Sequence, residues 1–260
     1  MLNERIYMTI SLGLSASEVS VRTQRLVSLM KMKIGPKAIL VISVVTLVGI
    51  GSWLRAAYAK PWMDRKAAES ITLGLEHSDT LKLGDIIFQT SRSPQSRAIQ
   101  FATHSPWSHC GILVRRQGHW SVLEAAQPVK YTSLSEWIGR GKEGKFMVMR
   151  VRATSSHHGP SDIQALVNTG ATFLGKSYDP LFGWGDDRIY CSELVWKTYH
   201  RAWGVDLGQI QTLGQLDLSS PSAHALKKAR LGSGDLPTDT LITPEAIRRS
   251  PLLELVVENP

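Results

Sequence analysis

Between Ala38 and Leu54 the sequence runs through seventeen residues without a charge, with Lys31, Lys33 and Lys37 before it and Arg55 behind. Such a segment does not build a water-soluble core of its own; it is read by an export machinery or stays in a bilayer. As a helix it spans roughly 26 Å, the short limit for a hydrocarbon core of about 30 Å. Ala57-Tyr58-Ala59 follows as a small-x-small pattern, which predicts cleavage after Ala59. If cut, the remainder is expected to be periplasmic or secreted. If uncut, residues 38–54 are expected to anchor it in the inner membrane with the body outside the cytoplasm. No cysteine stands directly after the apolar run, which argues against a lipoprotein anchor. Residues 1–29 are an unusual prefix to such a signal, and initiation at Met30 or Met32 would restore a short basic n-region.

The run divides the chain into a leader, 1–59, a helical lead-in, 60–80, and a body, 81–260. The net charge of +8 sits unevenly: the leader holds seven Lys and Arg against two acids, and residues 60–260 hold 23 against 20. So weak a field on a body of that size excludes nucleic acid as the expected partner. A 43% apolar, 20% charged composition is that of a globular protein and excludes intrinsic disorder. Two cysteines cannot make a disulfide framework or a four-cysteine zinc site, and no His or Cys spacing suits a metal, so neither metal nor cofactor is expected.

Ala67, Ala68, Ile71 and Leu75 recur at helical spacing in the lead-in. Leu83 to Gln89 reads as a buried strand, and Pro94 opens a short helix to Thr103. His109–Val114 and His119–Ala125 read as a hairpin around Arg115–Gly118. Lys145–Arg152 alternates as a further strand, and Ser161 is expected to cap a helix running to about Leu174. Another helix begins near Cys191, with Leu194, Val195, Thr198, Tyr199 and Ala202 on one side and Glu193, Lys197 and Arg201 elsewhere. Residues 204–240 show no firm period and read as an insertion or long loop. Thr243-Pro244-Glu245 opens a last short helix, and Leu252–Val257 is expected as an edge strand.

Cys191 follows a polar stretch and heads an amphipathic helix, where unpaired N–H groups and the helix dipole favour a thiolate. That makes a nucleophile; the alternative is a cysteine that fills space beside Leu194 and Val195. Cys110 alternates onto the face of Ile112 and Val114 and reads as plain core, which argues against a Cys110–Cys191 disulfide. With a four-residue hairpin loop His109 lies opposite Glu124; with a two-residue loop the partner shifts by two but keeps its face. In both registers Glu124 can orient the imidazole, and the alternative is a structural His–Glu pair on a wet sheet face. Trp107 and Trp184 flank His109 and Cys191 in sequence and are candidates to line a substrate groove.

Leu83-Gly-Asp-Ile-Ile-Phe, Ser108-His109-Cys-Gly-Ile, Leu123-Glu124-Ala, Tyr178-Asp179 and Tyr190-Cys191-Ser192-Glu193-Leu194-Val195, in that order, resemble the circularly permuted papain-like amidases of the YaeF/YiiX type. These are relatives of NlpC-type cell-wall peptidases and lecithin:retinol acyltransferases. The resemblance covers about residues 81–203, with a weaker echo at Ile242-Thr-Pro-Glu. It implies an α+β fold with a permuted papain-like core, an antiparallel sheet packed on the helix that carries the cysteine. It implies Cys191 as nucleophile, His109 as base and Glu124 as its orienting acid, with Tyr178 assisting the oxyanion. Glu124 stands where NlpC-type enzymes often place a second His, and Ser192-Glu193 replaces their Ser-Gly, which weakens substrate inference from them. The expected activity is an exported cysteine hydrolase cleaving amides of cell-wall peptide. The alternatives are an acyltransferase or thioesterase on lipid acyl groups, and a binding module with an inert, buried cysteine. The expected partner is a peptide or acyl substrate of the cell envelope.

Overall fold

The computed structural model of the chain describes residues 64–93, 95–152, 159–231 and 240–260. The leader, the helix start expected at Pro94 and the pair His157 and His158 lie outside the described residues. No helix among the described residues is long and apolar enough to cross a membrane.

Six strands make one antiparallel sheet: β1 (Ile86–Gln89), β2 (His109–Arg116), β3 (His119–Ala125), β4 (Val129–Ser133), β5 (Phe146–Val151) and β6 (Leu253–Asn259), in the order β6-β5-β1-β2-β3-β4. Period-2 alternation sends Ile86, Phe88, Cys110, Ile112 and Val114 to one face. Ile87, Leu113, Val122, Phe146 and Val148 go to the other. Both faces are covered, which explains why the central strands have no polar side. The first face packs on α4 (Pro160–Ala171) and α5 (Cys191–Trp203), through Leu166, Leu194, Val195 and Tyr199. The second packs on α1 (Arg65–Glu76) through Ala68 and on α3 (Leu134–Arg140) through Leu134, Trp137 and Ile138. Each such apolar side chain taken out of water contributes about 1.5–3 kcal/mol.

The hairpin closes on two residues, Gln117 and Gly118, at φ 50° and 84°, and pairs Arg116 with His119. Positive φ at both positions matches the right-handed twist of the strands. Of the two sequence registers the shorter loop is the one adopted. Arg115 and Arg116 extend β2 because their guanidinium groups lie over Trp120 at 4.0 Å and Tyr131 at 4.8 Å, and Arg115 also pairs with Glu76 of α1 at 2.5 Å.

Three other expectations change. The N-cap of α4 is Gly159, not Ser161, because the Asp162 carboxylate accepts the Gly159 N–H at 3.1 Å. On α5 the polar residues Glu193 and Lys197 are buried as well, paired with each other at 2.8 Å. The stretch 204–240 holds a two-residue ladder from Gln211–Thr212 to Thr240–Leu241 and a helix, α6 (Pro221–Leu231). Ala102 O, in the last turn of α2 (Ser96–Thr103), accepts the Asp217 N–H, so this stretch packs beside α2. Thr243 caps α7 (Pro244–Arg248), and β6 forms the sheet edge, as the sequence suggested.

Candidate active site

Cys191 is the first residue of α5, and its position is set by Tyr190. That residue is extended, at φ −107°, and its N–H donates to Glu193 Oε2 at 3.4 Å while its hydroxyl accepts the Ile242 N–H at 3.0 Å. His109 is the first residue of β2, and its ring hydrogen-bonds the Cys191 sulfur. Both cysteines are free thiols. Cys110 is core, as expected, but its side chain also hydrogen-bonds Cys191.

His109 Nε2 donates to Glu124 Oε2 at 2.6 Å, which leaves Nδ1 for the sulfur. The register that pairs Ile112 with Leu123 sets Glu124 opposite Gly111 and diagonal to His109 on the same face. Gly111 makes that diagonal possible. A Cβ there would fall 2.5 Å from Val122 Cγ1, 2.7 Å from Leu123 O and 3.4 Å from Glu124 Cβ. Glu124 is wholly buried and fully engaged: Arg140 Nη2 donates to Oε2 and Thr132 Oγ1 to Oε1. Trp137 stacks beside the imidazole at 6.1 Å between ring centres.

A hydrogen bond from Cys110 holds the Cys191 thiol well below its ordinary value; burial opposes this, and the charge and hydrogen bond of His109 reinforce it. Burial works against a charged His109, but the Cys191 thiolate and Glu124 outweigh it and push the imidazole up to about 9. Burial likewise opposes the Glu124 carboxylate, and His109, Arg140 and Thr132 overcome it, bringing it down to about 2. At neutral pH the set is therefore thiolate, imidazolium and carboxylate. Burying these charges is tolerable because each is hydrogen-bonded to the next.

Tyr178 lies in a parallel two-residue ladder, Ser177–Tyr178 with Arg188–Ile189, and its N–H donates to Gln127 Oε1 at 2.7 Å. Burial, then the nearby Cys191 charge, raise its phenol well above the ordinary value, so it keeps its proton. Two cavities adjoin the pair. A narrow apolar one of about 50 Å³ reaches Cys191 between α2 and α6, lined by Ala98, Ala102, Leu213, Leu216, Ala223 and Ile242. A wider cleft of about 350 Å³ opens on the His109 side, lined by Gln89, Arg92, Ser108, Gln127, Arg140 and Tyr178 among others. Trp107 is a buried core residue, and Trp184 packs edge-on against Trp196 at 5.2 Å; neither lines these cavities.

Sequence reasoning had not singled out Thr132, Arg140 or Gln89, nor the thiol contact of Cys110. Thr132 was within reach: one more strand paired on Glu124 places it as the diagonal neighbour of that carboxylate.

A thiolate heading a helix, facing an imidazole on an antiparallel sheet, defines a papain-like α+β protein, here with histidine and acid ahead of the cysteine in the chain. The family model described as "Permuted papain-like amidase enzyme, YaeF/YiiX, C92 family" matches residues 80–257, and the chain belongs to that family. It is 47% identical over 176 residues to "Uncharacterized protein YiiX" of Escherichia coli (strain K12), covering 68% of this chain and 86% of that protein. It also resembles the solved structure described as "Crystal structure of metalloprotein yiiX from Escherichia coli O157:H7, DUF1105". That likeness has a TM-score of 0.64 and 45% identity over 69% of this chain and 98% of the other. In this chain no group of three or more His, Cys, Asp or Glu side chains among the described residues could hold a metal ion. The described residues thus do not fit one.

Proposed function

We propose that this chain is an exported cysteine hydrolase that cleaves amide bonds through an acyl-enzyme. The observation that supports it is the hydrogen-bonded thiolate–imidazolium–carboxylate series of Cys191, His109 and Glu124 at a helix N-terminus. Because the thiolate is already formed, attack on the carbonyl carbon needs no prior proton transfer. The resulting oxyanion would take hydrogen bonds from the Cys191 N–H at the start of α5 and from the Tyr178 hydroxyl, each such donor contributing about 3 kcal/mol to the transition state. The imidazolium gives its proton to the leaving nitrogen as the C–N bond breaks, and Cys191 is left as a thioester. His109, now neutral, takes a proton from water, whose oxygen attacks the thioester; the acid leaves and the ion pair returns.

The leader motivates a site of action outside the cytoplasm, in the cell envelope. Of the two substrate expectations, cell-wall peptide or lipid acyl groups, the apolar cavity at Cys191 favours an apolar acyl half. The test is product mass spectrometry of the full chain and its Cys191→Ala variant with muropeptides, N-acyl amines, acyl thioesters and phospholipids. Release of amine and acid from N-acyl amines, absent with Cys191→Ala, is the expected result. Turnover of thioesters or phospholipids alone would replace the amidase reading with the acyltransferase one, and no turnover with slow alkylation of Cys191 would leave a binding module.

A further inference from the structure

The reaction sorts a substrate into two halves. The acyl half stays on the Cys191 sulfur, and the amine half departs over the imidazole that protonates it. The two cavities differ in the same sense: the one touching Cys191 is walled almost wholly by apolar groups, and the one touching His109 carries the polar side chains Gln89, Arg92, Ser108, Gln127 and Arg140 in its wall. Within the cleft at His109, Gln89 is the informative residue. It pairs with His109 across β1 and β2, is 1% exposed, and neither its Nε2 nor its Oε1 has a hydrogen-bond partner. A buried carboxamide without partners costs about 1–3 kcal/mol, so its place in a wall beside the reacting atoms calls for a polar ligand group. Arg140 has a second such atom: Nη2 holds Glu124, while its buried Nε has no partner. Arg92 adds another guanidinium to the lining, and none of the described lining residues is acidic.

We propose that this cleft is the leaving-group subsite and that it selects an amine bearing an anionic group, a carboxylate or a phosphate. The inference rests on the amidase reading above for the assignment of the two halves. Gln89 Nε2 and the Arg140 and Arg92 guanidinium groups supply donors to the anion, and Gln89 Oε1 accepts the N–H of the departing amine. Planar guanidinium groups suit carboxylate and phosphate equally, so the shared chemistry is the anion.

Three ligands with one acyl chain separate the sources: N-octanoylglycine with a carboxylate, N-octanoyl-O-phosphoethanolamine with a phosphate, and neutral N-octanoylethanolamine. Their affinities are measured by calorimetry on the full chain carrying Cys191→Ala, where binding is read without turnover. At least one anionic ligand is expected to bind about tenfold or more tighter than the neutral one, about 1.4 kcal/mol. Adding Arg92→Gln, on the cleft rim, or Gln89→Leu, in its wall, is expected to cut that preference to within about threefold. Equal affinity for all three ligands in the Cys191→Ala chain overturns the proposal, and so does a preference that both added substitutions leave intact. The anionic member that binds tighter names the source. If the preference holds while the unsubstituted chain hydrolyses none of the three, the subsite stands and the amidase reading fails.

Discussion

Glu124 Oε2 accepts from both His109 and Arg140 while Oε1 accepts from Thr132, so one buried carboxylate fixes the tautomer, orientation and charge of the imidazole. Glu124→Gln keeps the shape and removes the charge. It is expected to lower kcat by roughly a hundredfold or more with little change in KM, because the loss falls on the proton-transfer steps. Steady-state kinetics on an N-acyl amine check this, and an unchanged kcat would reduce the pair to a structural one. Cys110 contributes differently: its thiol hydrogen-bonds the Cys191 sulfur and is the largest influence holding that group ionised. Cys110→Ala is therefore expected to move the midpoint of Cys191 alkylation to higher pH at a stability cost of about 1 kcal/mol. A midpoint that stays in place would leave Cys110 as packing alone.

Two glycines of the β2–β3 hairpin separate close approach from backbone conformation. Gly118 needs a left-handed φ, yet a Cβ there meets nothing within 4 Å; Gly118→Ala is expected to cost about 1 kcal/mol of backbone strain alone. Gly111 faces hard contacts with Val122 and the Leu123 carbonyl, so Gly111→Ala is expected to cost about 2–3 kcal/mol and to displace Glu124 from His109. Urea unfolding of both variants ranks them; equal, mild losses would mean that β3 yields at no cost to the site. Legibility in the sequence follows the same contrast. The strand Ile86–Gln89 shows as a continuous apolar run because both of its faces are covered, and the helix from Cys191 shows in the spacing of Leu194, Val195, Thr198 and Tyr199. The element β4 is five residues long and mixes Lys130 and Tyr131 with Thr132, and α3 has seven residues, so neither shows a full period. The α6 helix rests on one buried residue among its described side chains, Ala223, and its sequence carries no apolar stripe to read. The Cys191, His109 and Glu124 set was legible because alternation and helix position both act locally. Arg140 was not, because its contact with Glu124 depends on how α3 folds back under the sheet.

For the molecule as a whole, protons link the site to stability. The Glu124 carboxyl lies at about 2 in the fold against an ordinary value of 4.5, so its stabilising contribution is present above pH 4.5 and is lost as pH falls toward 2. The drop in Tm between pH 5 and pH 3 is expected to be smaller in Glu124→Gln than in the unsubstituted chain, and an equal drop would assign acid sensitivity to other carboxylates. On the alkaline side the imidazolium's contribution is present in full below pH 6.5 and is lost as pH rises through about 9, while the Cys191 thiol, protonated in the unfolded chain and ionised in the fold, gives the opposite slope until the unfolded thiol deprotonates. The central claim, that sulfur and imidazole form an ion pair across a shared site, is tested most directly by the pH profile of Cys191 alkylation by iodoacetamide in the unsubstituted chain and in His109→Ala. The account predicts fast, selective labelling of Cys191 at pH 6, level up to about pH 9, and at least tenfold slower labelling at pH 6 in His109→Ala, with a midpoint moved toward the ordinary thiol value of about 8.5. Slow and equal labelling of Cys110 and Cys191, unaffected by His109→Ala, would contradict it.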